Sequence, residues 1–234
     1  MSRRKFLSSM LMLVAGVAVA KVKVIFGGMP WSKDPAVLPQ PVVAGGWTFF
    51  TAEEASTVEA IADRLIPADE LSIGGREAGC AVFIDRQLSG DFGRATTQYR
   101  SGPVTPGTPQ QGPQFSQTPA ERYRAGLNSL AQHCQSAQGK PFHALDAAQQ
   151  DTLLQQIEAG QLKFDNVDGA AFFNMMLQNV REGFFADPVY GGNKEMAGWK
   201  MLGFPGAQYD FRDVIGRRGE DLKVIPISLI GSKS

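Results

Sequence analysis

The sequence predicts an all-α protein: a helical bundle with long extended, Pro/Gly-rich arms and little or no sheet. Helix-start signatures recur, at Thr51 with Glu54, Thr118-Pro119 with Glu121, and Asp146 with Gln149. Apolar residues at three- and four-residue steps follow each of them. Between and around these segments Pro, Gly, Gln and Thr dominate and the periodicity vanishes. A length of 234 residues suits one domain, and an apolar content of 43% is enough for a core. Net charge is zero, with 23 basic and 23 acidic residues, so neither nucleic-acid binding nor an acidic solvating tail is indicated.

The elements follow in order. Thr51 and Glu54 form a capping box, Val58, Ile61, Ala62 and Leu65 keep helical spacing, and Pro67 stops the helix. After the turn Ile73–Gly79 a second helix is expected from Arg76 to Leu88, burying Val82, Phe83 and Ile84 in part. Residues 89–118 read as a Pro/Gln-rich loop, docked by Phe92, Tyr99 and Phe115. Thr118, Pro119 and Glu121 start a third helix that lasts until Gly139-Lys140-Pro141. Asp146 and Gln149 open a fourth, with Leu153, Leu154 and Ile157 inward and Gly160 at its end. Asp168 caps the last long helix, whose stripe is Phe172, Phe173, Met176, Leu177, Val180 and Phe184. A short helix around Glu195–Leu202 follows. The helical domain is thus expected over 49–207, between an extended arm at 21–48 and an extended C-terminal strap at 208–234, where Pro226 argues against a paired strand.

Residues 1–20 read as a leader. Arg3, Arg4 and Lys5 precede an apolar run from Met10 to Ala20, shorter than the roughly 20 residues a membrane span needs, and Ala18-Val19-Ala20 supplies the small-residue end. Arg3-Arg4 with Phe6 and Leu7 resembles the bacterial twin-arginine export signal, with Ser8 where that signal usually has Lys. The twin-arginine route carries folded cargo, often already loaded with cofactor. The chain is therefore expected either to bind a cofactor or to travel with a protein that does.

Residue spacing offers no cofactor site in this chain. It lacks Cys-x-x-Cys-His, a Gly-x-Gly-x-x-Gly turn and Gly-x-Ser-x-Gly, and neither His133 nor His143 follows a Glu by three residues. His133 adjoins Cys134, but neighbouring helical positions point apart, which makes a poor nucleophile and base. Cys80 and Cys134 sit on different expected helices, and three states are open to them: an internal disulfide, two buried free thiols, or a bond to a partner chain.

The most unusual stretch is 182–206, EGFFADPVYGGNKEMAGWKMLGFPG. It holds no nucleophilic Cys and no His. Gly191-Gly192-Asn193 reads as a structural turn, Trp199 as core, and Tyr190 and Phe204 as candidates for a partner interface. Together with IADRLIPAD at 61–69 and the leader, the segment DPVYGGNKEMAGWKMLGFPG resembles the small subunit of bacterial gluconate 2-dehydrogenase, the subunit 3 family, over roughly residues 50–207. That resemblance implies a three-part complex. A large flavoprotein subunit with FAD oxidises a sugar or sugar acid, a multihaem cytochrome c subunit carries haem c and relays electrons, and the small subunit helps the flavoprotein mature and cross the membrane.

The leading expectation is therefore a non-catalytic small subunit in the periplasm, held at the inner membrane through its complex and served by the twin-arginine export machinery. The alternatives are a stand-alone periplasmic helical binding or structural protein without a redox partner, and an enzyme with a site around Asp187, Lys194 and Glu195.

Overall fold

The computed structural model describes residues 40–230, apart from 44, 99, 101, 106, 112, 113, 209 and 221. The leader, with Arg3, Arg4, Phe6 and Leu7, and most of the arm lie outside the described residues. Seven α-helices are found among those described: α1 Ala52–Leu65, α2 Cys80–Ser89, α3 Asp91–Arg94, α4 Pro119–Gln138, α5 Ala147–Glu158, α6 Gly169–Phe185 and α7 Ala197–Leu202. No strand occurs among the described residues. A single parallel bridge joins Gly206 to Ile227. The all-α reading holds.

Local chemistry sets the helix starts. Thr51 accepts from the Glu54 amide while Glu54 accepts from the Thr51 amide, and Thr118 with Glu121 and Asp146 with Gln149 repeat the arrangement. Gly139 closes α4 in the left-handed conformation (φ 64°). Asp168 caps α6 through the Ala171 amide.

Two expectations need correction. The second helix begins at Cys80, not Arg76. Gly74 and Gly75 turn the chain against α1, where a Cβ on Gly75 would press on the backbone of Ala62. Gly79 then takes a left-handed φ of 80°, which no helix interior accommodates. The Pro/Gln-rich segment is not wholly structureless either, since it contains α3 and a 3₁₀ turn at Pro109–Gln111.

The core lies between the helices. Val58, Ile61, Ile84, Leu130, Ile157, Met176, Val180 and Phe184 are all buried, and Leu177, at the edge of the α6 stripe, is half-buried. An aromatic chain, Trp47–Phe50–Tyr123–Phe172–Phe164, crosses it with centroid separations of 5.7–6.4 Å. The helices α4 and α6 run antiparallel: Tyr123 donates to Asn179 Oδ1 at 2.9 Å, Gly126 faces the Phe172 ring, and Ser129 accepts from the Asp165 amide at 3.1 Å. Cys80 and Cys134 are buried free thiols. No disulfide joins them in this structure.

Candidate functional site

The candidate site is the motif that follows α6. Asp187 turns the chain out of the helix, accepting the Val189 amide at 2.9 Å at the head of a 3₁₀ turn, Pro188–Tyr190. Three backbones then converge. A Cβ on Gly192 would run into the carbonyl of Gly183 on α6. One on Gly79, before α2, would lie 2.8 Å from the Gly191 carbonyl. One on Gly183 would sit 3.2 Å from the Cys80 Cα. The tandem glycines are thus required by the close packing of α2, α6 and the loop.

Asn193 is the pivot. It is fully buried and sits in the left-handed region at φ 47°, which Asn tolerates better than most side chains. Its Nδ2 donates to Ala186 O at 2.8 Å, and its Oδ1 accepts the Gly198 amide at 2.9 Å. One amide therefore ties the end of α6 to the start of α7. Lys194 N donates to Ala78 O at 3.1 Å and fixes the same loop to the turn before α2. Trp199 is buried on α7; its Nε1 donates to Phe185 O at 2.7 Å, and its ring meets Phe204 edge-on at 5.4 Å. Tyr190 and Phe204 are exposed, as is Leu202.

The strap returns across this motif. Ile227 N donates to Pro205 O at 3.1 Å, and Ala207 N donates to Ile227 O at 2.7 Å. Asp187 anchors the strap's end, its Oδ1 accepting from the Ser228 hydroxyl at 2.8 Å and its Oδ2 from the Leu229 amide at 2.9 Å. Both Asp187 oxygens are thus engaged in holding backbone and strap, while Lys194 and Glu195 are exposed and line a cavity of about 540 Å³ with Gly191, Gly192 and Ser228.

Sequence reasoning missed Asp85. It is fully buried on α2, where its carboxylate accepts the amides of Thr48, Phe49 and Phe50 at 2.9 Å each and the Thr48 hydroxyl at 2.6 Å, with Arg86 beside it. Burial acts to raise its pKa, but the hydrogen bonds from Thr48, Phe50 and Phe49 outweigh that and hold it below the ordinary carboxylate range. No sequence signal marks it, because its partners lie about 36 residues away along the chain. Burial pushes the Cys80 thiol up to about 12 and the Cys134 thiol to about 11, the reverse of what a nucleophilic cysteine needs. His133 beside it is half-buried. Among the described residues, no three His, Cys, Asp or Glu side chains converge as a metal site requires, and no helix is long and apolar enough to cross a membrane.

Fold and site define an all-α scaffold whose glycine-rich motif welds three backbone segments together and carries apolar side chains on its outer side. Residues 52–206 match the family described as gluconate 2-dehydrogenase subunit 3, and the chain belongs to that family. Neither a curated protein nor a solved structure matches the chain.

Proposed function

We propose that the chain is the non-catalytic small subunit of a flavin-dependent sugar or sugar-acid dehydrogenase complex, held in the periplasm at the inner membrane. In this reading it binds and stabilises the FAD-bearing large subunit, and a multihaem cytochrome c subunit completes the complex. The leader, with Arg3 and Arg4, takes the folded pair through the twin-arginine machinery. Family membership supports the role of a dehydrogenase subunit.

The observation that carries the docking role is the apolar surface around the motif and strap. Leu202 is 64% exposed, Ile215 68% and Ile225 77%, with Tyr190, Phe204, Phe211, Ile227 and Ile230 also in solvent. Beside them a groove of about 930 Å³ is lined by Leu202, Pro205, Phe211, Val214 and Val224. A run of large apolar side chains rimmed by polar ones marks a surface that a partner covers. Aromatic anchors such as Tyr190 and Phe204 suit the centre of such an interface.

The test is co-purification with the large subunit. The wild-type chain is expected to bring down a protein with flavin absorbance. Tyr190→Ala with Leu202→Glu is expected to lose it while the free small subunit melts at an unchanged temperature. Replacing Arg3 and Arg4 by Lys keeps the charge but removes the guanidinium forks, and is expected to strand dehydrogenase activity in the cytoplasm. Stoichiometric FAD or haem in the isolated chain would sink the reading, as would full flavoprotein recovery with the double variant.

A further inference from the structure

Arg122 is a buried cation that the motif does not use. It lies in the first turn of α4, four residues after the capping Thr118, and is only 8% exposed. Its Nε is sealed from water and has no hydrogen-bond partner, and no ion pair reaches the guanidinium among the described residues. Phe115 covers one face, with Cζ 3.9 Å from the ring centroid. The adjoining carboxylate, Glu121, is committed to the Thr118 amide at 2.7 Å. Arg100, which donates to Ser116 O, adds a second positive charge near Glu121.

Each of these features disfavours an unpaired charge. A guanidinium Nε sealed from water without an acceptor is costly. The first turn of a helix carries the positive end of the dipole and repels a cation further. Cation–π contact with Phe115 recovers only a fraction of the loss. Burial accordingly pulls the Arg122 pKa down from its usual value. Nothing within the described chain repays this cost.

We propose that Arg122 receives a carboxylate, the side chain of an Asp or Glu of the large subunit, when the two proteins dock; the inference rests on the docking role proposed above. The chemistry favours a carboxylate. Phe115 takes one face and Nε is sealed, which leaves the two terminal nitrogens to meet a planar carboxylate through N–H groups side by side. The position fits as well. Because α4 runs antiparallel to α6, with Tyr123 against Asn179, Arg122 stands at the level of the half of α6 that leads into the exposed motif, on the side of α4 that Phe115 covers.

The experiment compares wild type, Arg122→Gln and Arg122→Lys, each as the full chain, for melting of the free subunit and for binding to the purified large subunit. Arg122→Gln is expected to leave the free chain as stable or more so, while weakening binding at least tenfold. Arg122→Lys, which keeps the charge without the fork, is expected to fall between. Sodium acetate, compared with sodium chloride at equal ionic strength, is expected to weaken the wild-type complex and leave the Gln variant's unchanged. A merely structural arginine would instead destabilise the free chain on removal and leave binding per folded molecule intact, which overturns the proposal. Undiminished binding by Arg122→Gln overturns it too, as does acetate acting equally on both proteins. If Arg122→Gln fails to fold, the Lys variant and the acetate arm on wild type decide the matter. Failure of the wild type to bind overturns the docking role itself, whereas wild-type binding with an indifferent Gln variant overturns only the role of Arg122.

Discussion

Two buried polar side chains, Asn193 and Asp85, hold backbone groups that the helices leave unpaired, Asn193 near by in the chain and Asp85 from about 36 residues away. Asn193 serves Ala186 O and Gly198 N at once from a fully buried position. Asn193→Ala leaves a carbonyl and an amide unpaired, and each such group costs about 1–3 kcal/mol. Urea unfolding is expected to show a loss of about 2–6 kcal/mol on that basis; a loss below about 0.5 kcal/mol, within the range of ordinary surface substitutions, would contradict the pivot role. Asp85 gives a pH signature. Its folded pKa lies below the unfolded value of about 3.9, so its contribution is complete above that pH and is lost as pH falls through the folded value. Glu54 shifts in the same direction, through Arg124 and Thr51 against the effect of burial. Wild type is therefore expected to lose stability below about pH 4 more steeply than Asp85→Asn, which has no such proton to take up. Parallel acid-unfolding curves for the two proteins would refute this.

At the scale of elements, what was legible in the sequence was what is local. The capping boxes at Thr51, Thr118 and Asp146 stand within four residues of their partners, and each helix begins where its signature says. The start of α2 was misplaced because a long-range constraint decides it. Arg76–Gly79 has ordinary helical propensity apart from its glycine, but Gly79 must pass against the Gly191 carbonyl more than a hundred residues later. The motif was legible as a glycine-rich peculiarity; in the structure Trp199 is buried and Gly191 and Asn193 take left-handed backbone. The anchor at Asp187 and the seat of Asp85 were not legible, since both depend on partners about 40 residues distant. Two glycines of the motif separate backbone contact from backbone conformation. Gly192→Ala drives a Cβ into Gly183 O on α6, and backbone at both ends cannot yield, so the α2–α6–motif junction must open. Gly203→Ala meets no atom and bears only a left-handed φ of 66°, at a cost of about 1–2 kcal/mol. Thermal unfolding is expected to show Gly192→Ala several-fold more damaging; equal shifts for the two would mean the junction is not close-packed.

For the whole molecule, the question is what holds the strap. Both attachments, Ile227 to Pro205 and Ala207 and the Ser228–Leu229 pair to Asp187, lie at the strap's end, and the loop 210–225 that leads to them carries local bonds such as Asp210 with Arg212 and Arg217 with Glu220. The loop presents Phe211, Ile215 and Ile225 to solvent. Ordering such a segment costs roughly 1–2 kcal/mol per residue of backbone entropy, and local bonds return little of it. Brief proteolysis of the free chain is therefore expected to cut first within 210–225, and the large subunit is expected to protect those same bonds if the strap forms part of the interface. Asp187→Ala sharpens the test. It removes both oxygens that hold Ser228 and Leu229, along with the cap on the Val189 amide, while the hydrogen bonds of α6 and of the Asn193 side chain involve neither oxygen, so cutting should accelerate within the strap and not in the helices. Equal protection of 210–225 with and without the large subunit would favour a chain that folds its strap over its own core, and with it the stand-alone reading of the protein.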